Sequence, residues 1–342
     1  MGKKTVHHVK YDFFKAKGPD AFQALGKDAL LVALREMLLI RHFELRAESA
    51  YQQGLVGGFF HAYMGQEAIQ TAAVQAMGKD HNWWITTYRC HALAYLMGAT
   101  PNEMMAELYG KATGNAMGRG GSMHLYADRM LGGFGIVGGH LPIATGAAFS
   151  LKYQKQEGVA VCFLGDGAFV QGAVHESLNL ASLWNLPCIY VIENNQWGMG
   201  TAVNRALCVQ PIAEHFAPAY GMKSYTLDGM DFGSCYEGFA HIHGEVKKTG
   251  RPVLVEAVTE RFRGHSISDP ALYRLKEELE DAKRRDPIHL FKEKLKEKKL
   301  LTDQEFEVMD KEQKERVLAA MKFAEESPIP GALTLEEDVF AP

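Results

Sequence analysis

Val159-Ala160-Val161-Cys162-Phe163-Leu164-Gly165-Asp166-Gly167 and, one crossover later, Cys188-Ile189-Tyr190-Val191-Ile192-Glu193-Asn194-Asn195 decide the fold of this chain. Each begins as a short, continuous apolar run, the pattern of a strand covered by helices on both faces. Between them, apolar residues recur at helical spacing (Val174, Leu178, Ala181, Leu183), over a length sufficient to cross back over a parallel sheet. Residues 252–258 read as a third strand of the same kind. The expected class is α/β, a parallel sheet flanked by helices.

Outward from this unit the chain is mostly helical. Leu30, Leu31, Leu34, Leu38, Ile40 and Phe43 form the apolar stripe of a long helix from Asp28 to about Gln53, and a second helix should follow Gly65. Thr100-Pro101-Asn102-Glu103 and Thr302 to Glu305 are capping boxes, each announcing a helix. From Leu272 onward the sequence is charged and helical, with a break at Asp286-Pro287. The expected organisation is an N-terminal extension (1–27), an α/β domain (28–270) and a helical C-terminal extension of that domain (271–342). Ten glycines fall between Gly114 and Gly146. Bulky residues (Met123, Tyr126, Phe134, Ile136) interleave with them, so the stretch reads as an ordered loop where backbone approaches a ligand or another chain, not as a linker.

Bulk properties exclude several classes. With 342 residues and a formal charge of −4, the chain carries no basic excess for nucleic acid, and its lysine-rich stretches near Lys283 and Lys292 are interleaved with acids. The five cysteines include no C-x-x-C pair and read as buried thiols in a reducing compartment. No apolar run approaches a membrane span and the polar start is no signal peptide, so a cytoplasmic location is expected.

In open parallel sheets ligands bind beyond the carboxyl ends of the strands, which singles out Gly165-Asp166-Gly167 and Asn194-Asn195. Each alone is a common turn sequence. Together, one crossover apart, they bring a carboxylate and an amide oxygen to the same sheet edge. Those are hard ligands suited to Mg²⁺, which takes few protein oxygens plus phosphate oxygens. On this pattern alone, a non-catalytic Mg²⁺ and nucleotide-binding module is also possible.

The pattern resembles the thiamine-diphosphate motif, which begins with Gly-Asp-Gly and ends about thirty residues later with Asn-Asn. The likeness continues in residues 58–68, Tyr88-Arg89-Cys90-His91, Gly120-Gly121-Ser122-Met123-His124, Gly135-Ile136-Val137-Gly138, residues 193–201 and residues 263–270. In these blocks the chain is similar to the alpha subunits of thiamine-diphosphate-dependent 2-oxo acid dehydrogenases, most of all those acting on pyruvate. The resemblance implies the thiamine-diphosphate-binding fold. It implies that Asp166, Asn195 and the carbonyl of Trp197 ligate Mg²⁺, and that Tyr88, Arg89 and Arg261 bind the diphosphate with backbone help from Gly167 and Ala168. It further implies that Gly135 and Val137 meet the aminopyrimidine, that Met199 props the bent cofactor, and that His61 and His265 line the channel for the 2-oxo acid, His265 also touching the cofactor. The family usually has Tyr where this chain has Trp197, a change that leaves the carbonyl in place.

Thiamine catalysis also needs a carboxylate against the aminopyrimidine ring. No candidate is evident here. In the resembling family it lies in a separate beta subunit, which implies a partner beta chain, two alpha and two beta chains together, and a lipoyl-bearing dihydrolipoyl acetyltransferase receiving the acyl group. The implied reaction is oxidative decarboxylation of pyruvate with reductive acetylation of lipoyllysine. Acetoin dehydrogenase and branched-chain 2-oxo acid dehydrogenase alpha subunits share enough of the pattern to stand as alternatives.

Overall fold

The computed structural model describes residues 9–18, 20–337 and 339. Residues 1–8 of the expected N-terminal extension therefore lie outside the described residues. The strands are β1 (Trp83–Thr87), β2 (Met130–Phe134), β3 (Ala160–Gly165), β4 (Cys188–Asn194), β5 (Trp197–Gly198), β6 (Thr201–Ala202), β7 (Lys223–Asp228) and β8 (Val253–Val258). Among the described residues, six of them pair in parallel in the order β2-β1-β3-β4-β8-β7, while β5 and β6 form a small antiparallel hairpin. The expected α/β class and the β3–helix–β4 unit are both present.

The helices are α1 (Ala21–Gln52), α2 (Glu67–Met77), α3 (His91–Leu96), α4 (Pro101–Leu108), α5 (Leu141–Tyr153), α6 (Gly172–Leu183), α7 (Val203–Ala206), α8 (Ile212–Phe216), α9 (Phe232–Thr249), α10 (Lys276–Arg284), α11 (Pro287–Glu297) and α12 (Asp303–Glu326). Strand residues alternate between the two faces of the sheet. Val161, Phe163, Ile189, Val191 and Val255 enter one apolar cluster with Leu34 and Phe43 of α1, Phe239 of α9, Phe291 of α11 and Val317 of α12. Cys162, Leu164, Tyr190, Ile192 and Leu254 enter the other, with Ala148 of α5 and Leu178 of α6. This is why β3 and β4 read as unbroken apolar runs: neither face meets water. Among the described residues, no helix is long and apolar enough to cross a membrane.

Three differences from the sequence reading have local causes. Helix α1 begins at Ala21 instead of Asp28, capped by Asp20, whose side chain accepts from Gln23 N at 2.8 Å. Gly26 breaks it at φ 74°, so the expected start marks an internal kink. Strand β2 arises inside the glycine-rich stretch, where sequence gives no strand signal. A Cβ at Gly133 would lie 2.5 Å from Cys90 Sγ, so close packing there demands glycine. Four cysteines are buried as expected, but Cys208 is exposed.

The glycine-rich stretch is ordered, and a buried carboxylate explains how. Glu107, the penultimate residue of α4, is fully buried and accepts from the backbone N–H groups of Ala116 (2.8 Å), Gly118 (2.9 Å), Gly120 (2.7 Å) and Gly121 (3.1 Å). Four donors converging on one anion fix a loop that has little apolar burial of its own. Both capping boxes form, at Thr100–Glu103 and Thr302–Glu305. Asp286 caps α11 and also binds Arg41 of α1 at 2.7 Å, tying the charged tail to the main core.

Candidate functional site

The carboxyl ends of β1, β3 and β4 open into a cleft of about 690 Å³. His61, Tyr88, Arg89, Gly135, Val137, Asp166, Gly167, Ala168, Asn195, Trp197, Met199, Arg261 and His265 all line it, whereas Asn194 does not. Register explains the central pair. Gly165 of β3 lies opposite Glu193 of β4, so the chain leaves both strands at the same level and delivers Asp166 and Asn195 side by side. The backbone N–H of Asn195 donates to the Glu193 carbonyl at 3.1 Å, which folds the chain into the cleft directly after β4.

Asp166 is 2 % exposed and its Oδ2 has no hydrogen-bond partner among the described residues. Burial pushes its carboxyl up to about 6, against the pull of Arg261. A buried anionic oxygen without a donor is costly unless a cation sits beside it. Asn195 complements it: its Nδ2 donates to Gln66 Oε1 at 3.2 Å, and its Oδ1 accepts from Trp197 N at 3.3 Å. The Trp197 carbonyl accepts from Arg261 Nη1 at 3.4 Å, a long contact that leaves its second lone pair for a further partner. One carboxylate, one amide oxygen and one carbonyl are the hard, sparse donor set that fits Mg²⁺ with phosphate oxygens.

Two guanidinium groups supply the opposite charge. Arg89 is 5 % exposed and donates to the carbonyls of Ala62 (2.7 Å) and His265 (2.6 Å). Arg261, 1 % exposed, donates to the Arg263 carbonyl (3.0 Å) and the Tyr273 hydroxyl (2.9 Å). Among the described residues neither reaches a carboxylate by hydrogen bond. Two buried cations held only by dipoles make an anion site.

His61 and His265 meet edge to face at 5.0 Å, with Tyr88 4.4 Å from His61. Burial, reinforced by the Arg89 charge, lowers both imidazoles to about 3, and Nδ1 of each is buried without a partner among the described residues. Neutral rings can offer a donor and an acceptor to a polar ligand. In ¹⁵N-histidine NMR of the cofactor-free protein, both should therefore keep neutral-ring signals from pH 8 down to pH 5, where exposed histidines have titrated; protonation of both above pH 6 would contradict this electrostatic picture.

The mouth is apolar. Phe59, Ile136, Val137 and Met199 are 63 %, 77 %, 44 % and 65 % exposed, an arrangement suited to contact with another chain. Met199 sits at the β5–β6 turn with φ 53°. Gly167 has a reason beyond backbone access to phosphates: a Cβ there would lie 2.9 Å from the Cα of Gly198, where the Asp166 turn crosses this hairpin.

Sequence reasoning missed the groups that hold these residues in place. Glu193, buried in β4, accepts from Tyr63 Oη and from Gln70 Nε2 at 3.2 Å; burial raises it to about 7. Glu256, buried in β8, accepts from Asn194 Nδ2 (2.7 Å) and Ala213 N (2.9 Å). The two asparagines thus divide the work: Asn194 anchors the loop and Asn195 faces the cleft. A single Glu interrupting each apolar strand was the available signal, since a charge there must have a buried partner.

The dehydrogenase E1 component family model matches residues 35–333. The pyruvate dehydrogenase E1 component subunit alpha of Rickettsia felis is 41 % identical over 316 residues, covering 92 % of this chain and 96 % of that one. The protein of the same name from Rhizobium meliloti is 39 % identical over 317 residues (92 % and 90 %). The mitochondrial type II form from Ascaris suum is 38 % identical over 322 residues (93 % and 81 %).

Proposed function

This chain belongs to the dehydrogenase E1 component family, and we propose that it is the alpha subunit of a pyruvate dehydrogenase. Working with a beta chain, it carries out oxidative decarboxylation of pyruvate and reductive acetylation of lipoyllysine on a dihydrolipoyl acetyltransferase. The observation that carries this reading is the pairing, in one cleft, of a buried carboxylate oxygen on Asp166 with two buried arginines, the oxygen having no partner and the arginines no carboxylate hydrogen bond among the described residues. Such a site asks for a cation and a polyanion together.

Thiamine diphosphate, when bound, supplies the carbanion chemistry that cleaves the bond beside a ketone. The chain's own residues hold and orient it. Asp166, Asn195 and the Trp197 carbonyl take Mg²⁺, and Tyr88, Arg89 and Arg261 take the diphosphate, with the backbone of Gly167 and Ala168. Gly135 and Val137 offer backbone groups to the aminopyrimidine, with Met199 against the ring system. His61 and His265, neutral at working pH, face the 2-oxo acid, and His265 also contacts the cofactor.

The exposed apolar rim supports a beta subunit closing over the cleft, in an assembly of two alpha and two beta chains. Four buried free thiols suit the reducing cytoplasm. Co-purified alpha and beta chains, given thiamine diphosphate and Mg²⁺, should release carbon dioxide from pyruvate at least about tenfold faster than from branched 2-oxo acids, which is a difference of about 1.4 kcal/mol in the barrier. The alpha chain alone should be inactive. Faster turnover of a branched acid, or cleavage of acetoin in preference to pyruvate, would overturn the substrate assignment.

A further inference from the structure

We propose that Gln66 is a positioning residue that orients the Asn195 amide so that its oxygen, and not its nitrogen, faces the metal. The inference rests on the reading of Asp166 and Asn195 as Mg²⁺ ligands. Gln66 stands just ahead of α2, is fully buried and lines the cleft. Its Oε1 accepts from Asn195 Nδ2 at 3.2 Å, while its own Nε2 has no partner among the described residues. Asn195 is the only side chain that the Gln66 amide engages among the described residues.

An asparagine amide is nearly symmetric in shape, so something must choose which end points at a ligand. Two bonds choose here. Trp197 N–H donates to Oδ1, and Gln66 Oε1 receives Nδ2. Turning the amide over would set Nδ2 against the Trp197 N–H, a donor facing a donor, and would oblige Gln66 to turn with it to keep its bond. The alternative is not idle, because the unpartnered Oδ2 of Asp166 is a strong acceptor beside Asn195. An unrestrained Asn195 NH₂ would be drawn to that carboxylate and occupy the place of the cation.

Gln66 can do this because its own turn is rigid. Gly65, at φ 100°, lets the chain pass so near Glu260 that a Cβ would sit 2.3 Å from its carbonyl oxygen. Phe262 N donates to Met64 O at 3.1 Å, and Gly65 N donates to the Glu67 carboxylate at 2.9 Å. That carboxylate is in turn held by Arg41 through contacts of 2.5 and 3.0 Å. Outer partners that fix a ligand in this way are worth about 10–100-fold in metal affinity.

The test uses the alpha–beta complex at saturating thiamine diphosphate, with Mn²⁺ as an EPR-visible probe of the Mg²⁺ site. Gln66→Met, which has no acceptor, should weaken Mn²⁺ binding about 10–100-fold. Gln66→Glu, which keeps an acceptor for Asn195 Nδ2, should stay within about threefold of wild type, a change of about 0.7 kcal/mol. Asp166→Ala should bind no Mn²⁺ at this site. Mn²⁺ binding by Gln66→Met within threefold of wild type, with Asp166→Ala silent, would overturn the role of Gln66 and leave the cofactor reading standing. Equal weakening by Gln66→Met and Gln66→Glu would overturn it too, since the acceptor would then not be what matters. Undiminished binding by Asp166→Ala would instead bring down the cofactor reading and the inference with it. Should Gln66→Met fail to fold, Gln66→Glu decides alone, because a tenfold loss there contradicts the proposal.

Discussion

Asp166→Ala is expected to cost at least about a hundredfold in affinity for Mg²⁺ and thiamine diphosphate, because it leaves a divalent cation and its diphosphate in a dry cleft without their one protein carboxylate. Removing one partner of a buried charge pair costs roughly 3–5 kcal/mol, and about 2.7 kcal/mol is already a factor of a hundred. Calorimetry of the alpha–beta complex reads this directly, and unchanged binding would contradict the site assignment. The same residue should have the opposite effect on the cofactor-free protein. Burial lifts its carboxyl from the ordinary 3.8 to about 6, which corresponds to roughly 3 kcal/mol of disfavoured charge at pH 7. Since the folded state holds its proton more tightly than the unfolded chain, the penalty is absent below about pH 4 and complete above about pH 6. Asp166→Asn should therefore raise cofactor-free stability at pH 7 and lose that advantage toward pH 4. Urea unfolding at the two pH values measures it; a destabilised Asn variant at pH 7 would refute the account. Binding function and fold stability pull in opposite directions at this one oxygen.

Gly65→Ala should be the most damaging small change outside the ligand set, destabilising by at least about 3 kcal/mol. Two costs add. The backbone there has φ 100°, a conformation that L side chains rarely adopt, and the new Cβ would meet the Glu260 carbonyl at 2.3 Å and the Phe262 ring at 3.0 Å. Neither neighbour can retreat freely. Glu260 and Arg261 are held through Arg274, which donates to the Glu260 side chain at 2.9 Å and to the Arg261 carbonyl. Relief must come from displacing the 63–67 turn, so cofactor affinity should fall along with the melting temperature. Gly146→Ala is the matched control. It lies within α5, nothing is within 4 Å of its Cβ position, and alanine there should be neutral or stabilising by up to about 1 kcal/mol. A Gly65→Ala variant that melts with Gly146→Ala would show that the turn is not as tightly packed as described.

The sequence was most legible where chemistry and local pattern coincide. Gly165-Asp166-Gly167 and Asn194-Asn195 follow apolar runs whose pairing needs only a crossover helix, and residues lining the cleft were named from blocks of contiguous sequence. Helix starts at Thr100 and Thr302 were equally plain, because a capping box is complete within four residues. Strands β1, β2 and β7 were not. Trp83–Thr87 and Lys223–Asp228 lack long apolar runs, and β2 is partly glycine; each is a strand because a neighbour already in the sheet offers its hydrogen bonds.

By itself, then, the sequence determined the parallel sheet, the edge at which the cleft opens and the carboxylate and amide brought together there, since those depend on interactions local in the chain or on a fixed crossover. Tertiary structure alone decided how these groups are held. Gln66 reaches Asn195 across 129 positions, Asn194 reaches Glu256 across 62, and Tyr63 reaches Glu193 across 130. No periodicity spans such distances, because a buried polar residue takes whatever partner the packed sheet brings beside it. Asp166 was readable as a residue of the cleft; that its Oδ2 is buried without a donor among the described residues, and that the Asn195 amide nitrogen is held by Gln66, only the fold could supply.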